Sequence, residues 1–187
     1  SLALNANGSL TYTPDEGFVG TDTFTYRAYD GEDYSPAATV TITVALPQGA
    51  HRVAGVNRYL TSVAASKRAF LTASTVVVAT GDNWPDALGG SALAGAVEGP
   101  LLLTSSASLP AGVRDEIARL GAKKVYVLGG TSAVSGTVFD QIKAISGVTS
   151  VVRVSGNDRY GTARAIADTA IAELNARGTY SGGALVA

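Results

Sequence analysis

An eight-residue stretch occurs twice in this chain, as RVAGVNRY at residues 52–59 and as RVSGNDRY at residues 153–160, 101 positions apart. Each copy is followed by an alanine-rich segment with helical spacing. Each then reaches a short apolar segment that ends in Val-Ala, at residues 78–79 and again at 186–187. A period of about 100 residues is too long for a solenoid repeat and is typical of tandem compact modules. The sequence therefore predicts one complete module and the start of a second.

The part of the chain between the two copies alternates between strand and helix patterns. Fully apolar runs occupy residues 75–79, 101–103, 125–128 and 151–154, and such runs are typical of strands buried on both faces. Between and after these runs, apolar residues at helical spacing predict three helix faces. These faces are Val113, Ile117 and Leu120; Val134, Val138, Ile142 and Ile145; and Tyr160, Ala163, Ala167, Ala170, Ile171 and Leu174. The predicted fold class is α/β, a Rossmann-like parallel sheet with flanking helices and right-handed crossovers.

Residues 1–45 follow a different period. Apolar residues lie two positions apart and alternate with threonine and other polar residues, which predicts three half-buried antiparallel strands. Turn-forming residues at 14–17 and 30–33 separate them. Because three strands do not bury an apolar face alone, we expect a partial antiparallel β-sandwich. The alternating residues are Leu10 and Tyr12; Phe24, Tyr26 and Ala28; and Val40, Ile42 and Val44.

These patterns divide the chain into four predicted segments. Residues 1–45 are the C-terminal part of a β domain, and residues 46–51 are a short linker that contains Pro and Gly. Residues 52–150 form the first copy of the α/β repeat. Residues 151–187 form the start of a second, truncated copy.

The composition excludes several classes of function. The 187 residues carry 14 basic and 15 acidic side chains, for a formal net charge of −1, which argues against binding to nucleic acid or a membrane surface through bulk charge. With no cysteine and only His51 as histidine, thiol chemistry and multi-histidine metal sites are excluded. No apolar run approaches the roughly 18 residues of a membrane span. No P-loop or G-x-G-x-x-G motif indicates nucleotide binding. We expect no cofactor and no metal.

The chain contains, in this order, the first octapeptide, ATGDNWPDAL at 79–88, PLLLT at 100–104, SLP at 108–110, VLGG at 127–130 and the second octapeptide. These motifs resemble the cell wall binding repeat 2 family over residues 51–187. The resemblance implies a non-catalytic module that anchors a secreted protein, outside the cell, to anionic polymers of a Gram-positive cell wall. It also implies neighbouring repeats of the same chain, usually three in tandem, as partners, with a peptidoglycan-associated glycan as the alternative to the anionic polymer. Residues 1–45 are similar to bacterial cadherin-like or immunoglobulin-like repeats, which usually act as stalks.

The first candidate binding residues lie in the loop after the first predicted strand of the sheet. Ligands of open parallel sheets bind in such loops, beyond the carboxyl ends of the strands. Gly81 permits a tight turn, and either Asp82 or Asn83 is expected to cap a helix that begins at Pro85. Trp84 either offers a flat apolar surface to a sugar ring or packs down onto the sheet.

Four arginines are further candidates. Arg58 and Arg159 fall in the first turn of their predicted helices, where a cation opposes the helix dipole at a cost of about 0.5 kcal/mol. This cost predicts a partner for each guanidinium. The partner is either a loop carboxylate, Asp82 or Asp86, or a bound phosphate or carboxylate. The same alternatives apply to the first arginines of the two octapeptides, Arg52 and Arg153.

Three interpretations stay open. Two further strands end in the loops at residues 104–106, which contain Thr104 and Ser105, and at residues 129–132. These loops either donate hydroxyl and backbone hydrogen bonds to a polymer or are ordinary helix-entry loops. The alternative function is a hydrolytic or small-molecule-binding α/β domain with Asp82, Asp86 and Arg58 as its site, although no G-x-S-x-G motif and no further acid supports it. The acidic turns at residues 15–16 and 30–33 are either calcium ligands or solvated turns.

Overall fold

The chain forms two compact units, Ser1–His51 and Arg52–Ala187. The division follows the predicted linker, which includes His51 and lies outside the described residues. The assignment of residues to a first and a second sequence copy stays a prediction. The structure, a computed structural model, describes residues 1–5, 8–15, 18–45 and 52–179.

The N-terminal unit contains two separate antiparallel pairs of strands. β1 (Leu2–Leu4) pairs with β2 (Leu10–Tyr12), and β3 (Gly20–Tyr26) pairs with β4 (Ala38–Val44). The predicted alternation is confirmed in β4, where the aliphatic side chains at 40, 42 and 44 are half-buried and the threonines between them are exposed. The sequence analysis missed β1, because three residues are too few to show a period.

The acidic turn at residues 30–33 is closed by its own aspartate. Asp30 Oδ1 accepts hydrogen bonds from the backbone N–H groups of Asp33 at 2.8 Å and Glu32 at 2.9 Å. These bonds, that from Asp33 most strongly, lower the pKa of Asp30. Among the described residues, no group of three or more His, Cys, Asp or Glu side chains is arranged to hold a metal ion. The local geometry is that of an aspartate-stabilised turn.

The C-terminal unit is built on a four-stranded parallel sheet, which confirms the predicted fold class. Its strands lie in the order β6-β5-β7-β8, and every neighbouring pair is parallel. No helix in the described part of the chain has both the length and the apolar character needed to cross a bilayer. The elements, in chain order, are α1 (Arg58–Ala69), β5 (Thr75–Thr80), α2 (Pro85–Ala96), β6 (Leu101–Thr104), α3 (Ala111–Arg119), β7 (Lys124–Leu128), α4 (Gly136–Lys143), β8 (Ser150–Val154) and α5 (Arg159–Ala176).

Helices cover both faces of this sheet, as the sequence predicts. Along β5 the side chains alternate, so Val76 and Val78 pack with α1, α3 and α4, whereas Val77 and Ala79 pack with α2 and α5. The predicted apolar faces of α3 and α4 are confirmed, because their residues are buried in the first of these two layers. Gly90 brings α2 close to the sheet, since a Cβ there would collide with Leu128.

The prediction for the third helix face is wrong in part. The fully buried residues of α5 are Thr162, Ile166 and Ala170, of which only Ala170 belongs to the predicted stripe. The reason is that α5 turns its Ile166 side, rather than its alanine-rich side, toward α2 and the sheet, where Ile166 joins the same buried cluster as Leu93. The predicted stripe therefore lies beside the buried one and is only partly covered.

A buried carboxylate links α1 to α3. Glu116 is 2% exposed, and its Oε1 accepts a hydrogen bond from Ser66 Oγ at 2.6 Å. Arg119 Nε donates to Glu116 Oε2 at 2.7 Å, and the same guanidinium donates to the backbone carbonyls of Phe70 and Leu71. The hydrogen bond with Glu116 raises the pKa of Arg119. A buried charge is tolerated here because each oxygen has a donor.

We predict that Arg119→Ala lowers the free energy of unfolding by about 3 kcal/mol, because it leaves the Glu116 carboxylate buried without its cation. The measurement is urea denaturation followed by circular dichroism. Arg114→Ala is the matched control on the same helix. Its ion pair with Asp115 is exposed, so a loss of no more than about 0.5 kcal/mol is expected. Equal losses for the two variants would contradict the prediction.

Candidate functional site

The candidate site lies at the carboxyl edge of the parallel sheet. The chain runs from β5 outward to β6 and then returns to the other side of β5 as β7, so the strand order reverses between β5 and β7. Ligands of open α/β sheets bind at such a point. A cleft of about 400 Å³ lies there, bounded by the loops after β5 and β7 and by the start of α5. Its lining includes Asp82, Asp86, Ser106, Gly130, Asp158 and Arg159.

Asp82 connects three parts of the fold at the edge of the cleft. Its Oδ1 accepts a hydrogen bond from Tyr59 Oη on α1 at 2.6 Å, and its Oδ2 accepts one from the backbone N–H of Ser106 at 2.9 Å. The bond from Tyr59 is the main reason that the pKa of Asp82 is lowered, and it raises the pKa of Tyr59. Both oxygens of Asp82 therefore hold the loops in place.

The expected capping of α2 by Asp82 or Asn83 is wrong. The residue at the N-cap is Trp84, whose side chain makes no capping hydrogen bond, and Asn83 Oδ1 accepts instead from the backbone N–H of Trp84 at 3.0 Å. Asp82 is unavailable because it binds Tyr59 and Ser106. The helix does begin at Pro85, as predicted. The side chain of Trp84 is 69% exposed, so it projects from the surface and does not pack down onto the sheet.

Asp86 occupies a different environment four residues later. It lies half-buried in the first turn of α2, and burial raises the pKa of its carboxyl group. Its Oδ2 packs against Gly129, where an added Cβ would collide with that oxygen. Gly129 also has φ +87°, a conformation that favours glycine. Two constraints thus require glycine in the turn after β7.

Arg153 holds the turn after β7. Its Nη1 donates to the carbonyls of Gly129 at 2.8 Å and Gly130 at 3.1 Å, and its guanidinium carbon lies 5.1 Å from the centroid of the Phe139 ring. Burial of this group lowers its pKa. Arg58 holds the turn after β5 in a similar way, because its Nη1 donates to the carbonyl of Gly81 at 2.6 Å.

The partners of these two arginines differ from the expected ones. The sequence analysis offered a carboxylate or a bound anion for Arg58 and Arg153, whereas the structure gives each of them glycine carbonyl groups. A backbone carbonyl also accepts charge-assisted hydrogen bonds, and sequence carries no signal for which carbonyl lies within reach. Arg159 lines the cleft and makes no hydrogen bond or ion pair with any described residue.

The remaining candidates lie apart from the cleft lining. Arg52 is exposed, with no hydrogen bond or ion pair to the part of the chain that the structure describes. Thr104 is fully buried, and its hydroxyl donates to the carbonyl of Ser105 at 3.2 Å. Ser105 Oγ accepts from the backbone N–H of Ala107 at 3.3 Å. Their roles in binding stay predictions.

The sequence analysis did not select two contributors to this site, Tyr59 and Asp158, and it considered Gly129 only as part of the loop at residues 129–132. Tyr59 and Asp158 both belong to the repeated octapeptide, so the repeat itself was a signal for them. Asp158 caps α5, because its Oδ1 accepts from the backbone N–H of Gly161 at 2.7 Å. Gly129 lies in the VLGG motif, but its contact with Asp86 joins positions 43 residues apart, which no local pattern reveals.

The sheet order and the cleft define a doubly wound α/β module with a polar crevice at the point where strand order reverses. Residues 52–139 match the cell wall binding domain 2 (CWB2) family, and residues 1–46 match the bacterial cadherin-like domain. The predicted resemblances are confirmed for these two segments. The CWB2 match ends before β8 and α5, which complete the sheet and the cleft.

Two proteins of Bacillus subtilis are similar in sequence to part of this chain. The chain is 39% identical over 116 residues to the N-acetylmuramoyl-L-alanine amidase LytC of Bacillus subtilis, which covers 62% of this chain and 23% of that protein. It is 30% identical over 109 residues to the amidase enhancer of the same organism, covering 58% of this chain and 15% of that protein. The chain thus spans less than a quarter of the length of either relative.

Two solved structures resemble this chain. Cwp6 from Clostridium difficile has a TM-score of 0.61 and 27% sequence identity, over 78% of this chain and 22% of that one. Cwp8 from the same organism has a TM-score of 0.59 and 35% identity, over 63% and 21% of the two chains. Together with the CWB2 match, these likenesses support a cell-wall-binding module. They also imply a location at the cell wall or cell surface.

We predict that Tyr59→Phe lowers the free energy of unfolding by about 1 kcal/mol at pH 7, because one hydrogen bond to a partly solvated carboxylate is lost. The pKa of Asp82 is lower in the folded protein than in the unfolded chain, where it is about 3.9. The stabilisation by this hydrogen bond is therefore fully present above about pH 3.9 and is lost as the pH falls through the pKa of Asp82 in the folded protein. The measurement is denaturation at pH 7 and at pH 3. A difference between wild type and variant that grows toward pH 3 would contradict the assignment.

We also predict that the two cleft carboxylates titrate in opposite directions from their ordinary pKa of about 3.9. Asp82 should titrate below that value because it accepts two hydrogen bonds, and Asp86 above it because it is partly buried. Carboxyl-carbon chemical shifts followed by NMR measure both. In Tyr59→Phe the pKa of Asp82 should rise and that of Asp86 should stay. The reverse order of the two values would refute this account of the site.

Proposed function

We propose that the C-terminal unit is a non-catalytic module that binds an anionic polymer of a Gram-positive cell wall in the cleft between β5 and β7. The observation that carries the proposal is the arrangement around Arg159. This guanidinium lines the cleft with no described partner, beside the N-termini of α2 and α5. An Arg and helix N-termini together favour a bound phosphate or carboxylate.

The other groups of the cleft suit the sugars of such a polymer. Asp86 and Ser132 line it with oxygen atoms that accept hydrogen bonds from sugar hydroxyl groups. Outside the cleft lining, Trp84 exposes its indole at the start of α2, and an aromatic face of this kind packs against the apolar side of a sugar ring. The carboxylates also repel anions, so we expect specific contacts rather than attraction by net charge. Several copies in one chain would strengthen binding through multivalency.

One observation favours the alternative function, a hydrolytic site. Asp82 and Asp86 have pKa values displaced in opposite directions, as paired catalytic carboxylates do. Against this, both oxygens of Asp82 accept hydrogen bonds from Tyr59 and Ser106, and Arg58 donates to Gly81. We therefore assign these residues to loop positioning. Release of soluble fragments from purified walls by this chain, abolished in Asp86→Asn, would establish the alternative instead.

The test is co-sedimentation of the chain with purified Gram-positive cell walls, native and stripped of their anionic polymers. We predict binding to native walls only, and an affinity about 10-fold lower for Arg159→Ala, because a charge-assisted hydrogen bond to the polymer is lost. Arg164→Ala is the matched control, since Arg164 lies on the same helix, is 86% exposed and pairs with Asp168. Equal binding to both wall preparations would contradict the anionic ligand. Equal losses in the two variants would contradict the role of Arg159.

A further inference from the structure

The cleft carries more negative than positive side chains. Its described lining residues include three carboxylates, those of Asp82, Asp86 and Asp158, and a single guanidinium, that of Arg159. The two arginines that hold the neighbouring turns are already bound to glycine carbonyl groups. A purely anionic ligand would therefore meet one available cation and three carboxylates that repel it. These charges favour a ligand that also carries positive charge.

Two of the three carboxylates have structural roles. Both oxygens of Asp82 accept hydrogen bonds from the protein, and Asp158 caps α5 through its Oδ1. Asp86 differs from both, because its carboxylate makes no hydrogen bond or ion pair with any residue that the structure describes. It is therefore the cleft carboxylate that has no structural partner.

Asp86 nevertheless has a defined place in the fold. It lies half-buried in the first turn of α2, with its Oδ2 packed against Gly129. The N-terminal end of a helix stabilises a carboxylate, yet burial raises the pKa of Asp86 above its ordinary value. The helix end thus does not fully compensate for the loss of water around this charge. A cation that enters the cleft would supply the missing compensation.

Asp86 and Arg159 line the same cleft without pairing. Asp86 is the second residue of α2 and Arg159 is the first of α5, and these two helices pack against each other. Both side chains line the cleft of about 400 Å³, but no ion pair joins them. Opposite charges that are held apart in one cleft complement a ligand whose own charges are separated in the opposite sense.

We propose that the cleft recognises a zwitterionic repeat of the wall polymer, with a phosphate or carboxylate on Arg159 and an ammonium group of the same repeat on Asp86. This inference rests on the proposed function and adds the chemical class of the ligand. A sugar hydroxyl would also donate a hydrogen bond to Asp86, but it would leave the charge of the carboxylate uncompensated. An amino sugar and an ester-linked amino acid both supply an ammonium group that the carboxylate would bind.

The first test compares chemically treated walls in the sedimentation assay. Acetylation of wall amino groups removes the ammonium charges and keeps the polymer phosphates, so the wall becomes more anionic. We expect the affinity to fall about 10-fold on acetylated walls, because a charge-assisted hydrogen bond to Asp86 is lost. Mild alkaline hydrolysis removes only ester-linked amino acids, so a fall after this treatment identifies them as the source of the ammonium group, and no fall identifies an amino sugar.

The outcomes separate this inference from the proposed function. Unchanged or tighter binding to acetylated walls would overturn the inference, because an anionic ligand alone would then account for binding. Equal binding to native walls and to walls stripped of anionic polymers would instead contradict the proposed function.

A pair of variants relates the effect to Asp86. Asp86→Asn keeps an oxygen that accepts from hydroxyl groups and loses the charge, so this variant should bind native and acetylated walls equally. Asp115→Asn is the matched control, since Asp115 lies on α3, is exposed and pairs with Arg114. It should retain the preference for native walls. If Asp86→Asn retained that preference too, the ammonium group would lie elsewhere and the inference would be wrong.

Two small probes test the same charges without a wall. Phosphoethanolamine carries a phosphate and an ammonium group, and ethyl phosphate lacks only the ammonium group. Phosphoethanolamine should lower the pKa of Asp86, because a nearby cation favours the carboxylate, whereas ethyl phosphate should raise it, because a nearby anion disfavours the carboxylate. Carboxyl-carbon chemical shifts followed by NMR at saturating probe measure both values. A rise of the pKa with both probes would overturn the inference.

Discussion

The hydrogen bonds from Arg58 and Arg153 to glycine carbonyls are the contacts on which the cleft depends. Each arginine reaches the turn after a central strand, Arg58 after β5 and Arg153 after β7. These turns form opposite walls of the cleft. Gly129 adopts φ +87°, and Gly81 leaves room for the Tyr59 ring, which lies 2.8 Å from where its Cβ would be. Backbone carbonyls at the ends of strands need donors, and a guanidinium satisfies this need while neutralising part of the negative charge of the cleft. The fixed position of Asp86 under Gly129 follows from the same arrangement.

Much of the fold could be predicted from the sequence, because the strands of the parallel sheet and the apolar faces of α3 and α4 are encoded by local sequence patterns. Val125 and Ile142 lie in runs whose period identifies a buried strand and a helix face. α5 could not be oriented in this way, because it is apolar on two adjacent sides and periodicity does not tell which side meets the sheet. Contacts such as that between Tyr59 and Asp82 join distant elements. The sequence identified Asp82 as a candidate and could not reveal that both its oxygens are bound.

The module that binds and the unit that repeats in sequence are different stretches of chain. The match to the CWB2 family ends at residue 139, yet β8 completes the sheet and the start of α5 closes the cleft. The second octapeptide begins at the end of β8 and ends in the first turn of α5. Asp158 and Arg159 therefore contribute to a cleft whose other residues come from the first copy. A binding assay on residues 52–139 alone would lack one wall of the cleft.

This offset between folded unit and sequence repeat has a consequence for how such chains change in length. Consider the removal or insertion of one whole period of about 100 residues. Wherever the cut falls, each octapeptide is still followed by a complete interval that ends at the next octapeptide. Every sheet then still receives a fourth strand and every cleft still receives its helix start. Unequal recombination between copies can therefore alter the number of modules without creating an incomplete one inside the array. The overlap between the folded unit and the second octapeptide thus makes the number of copies easy to vary.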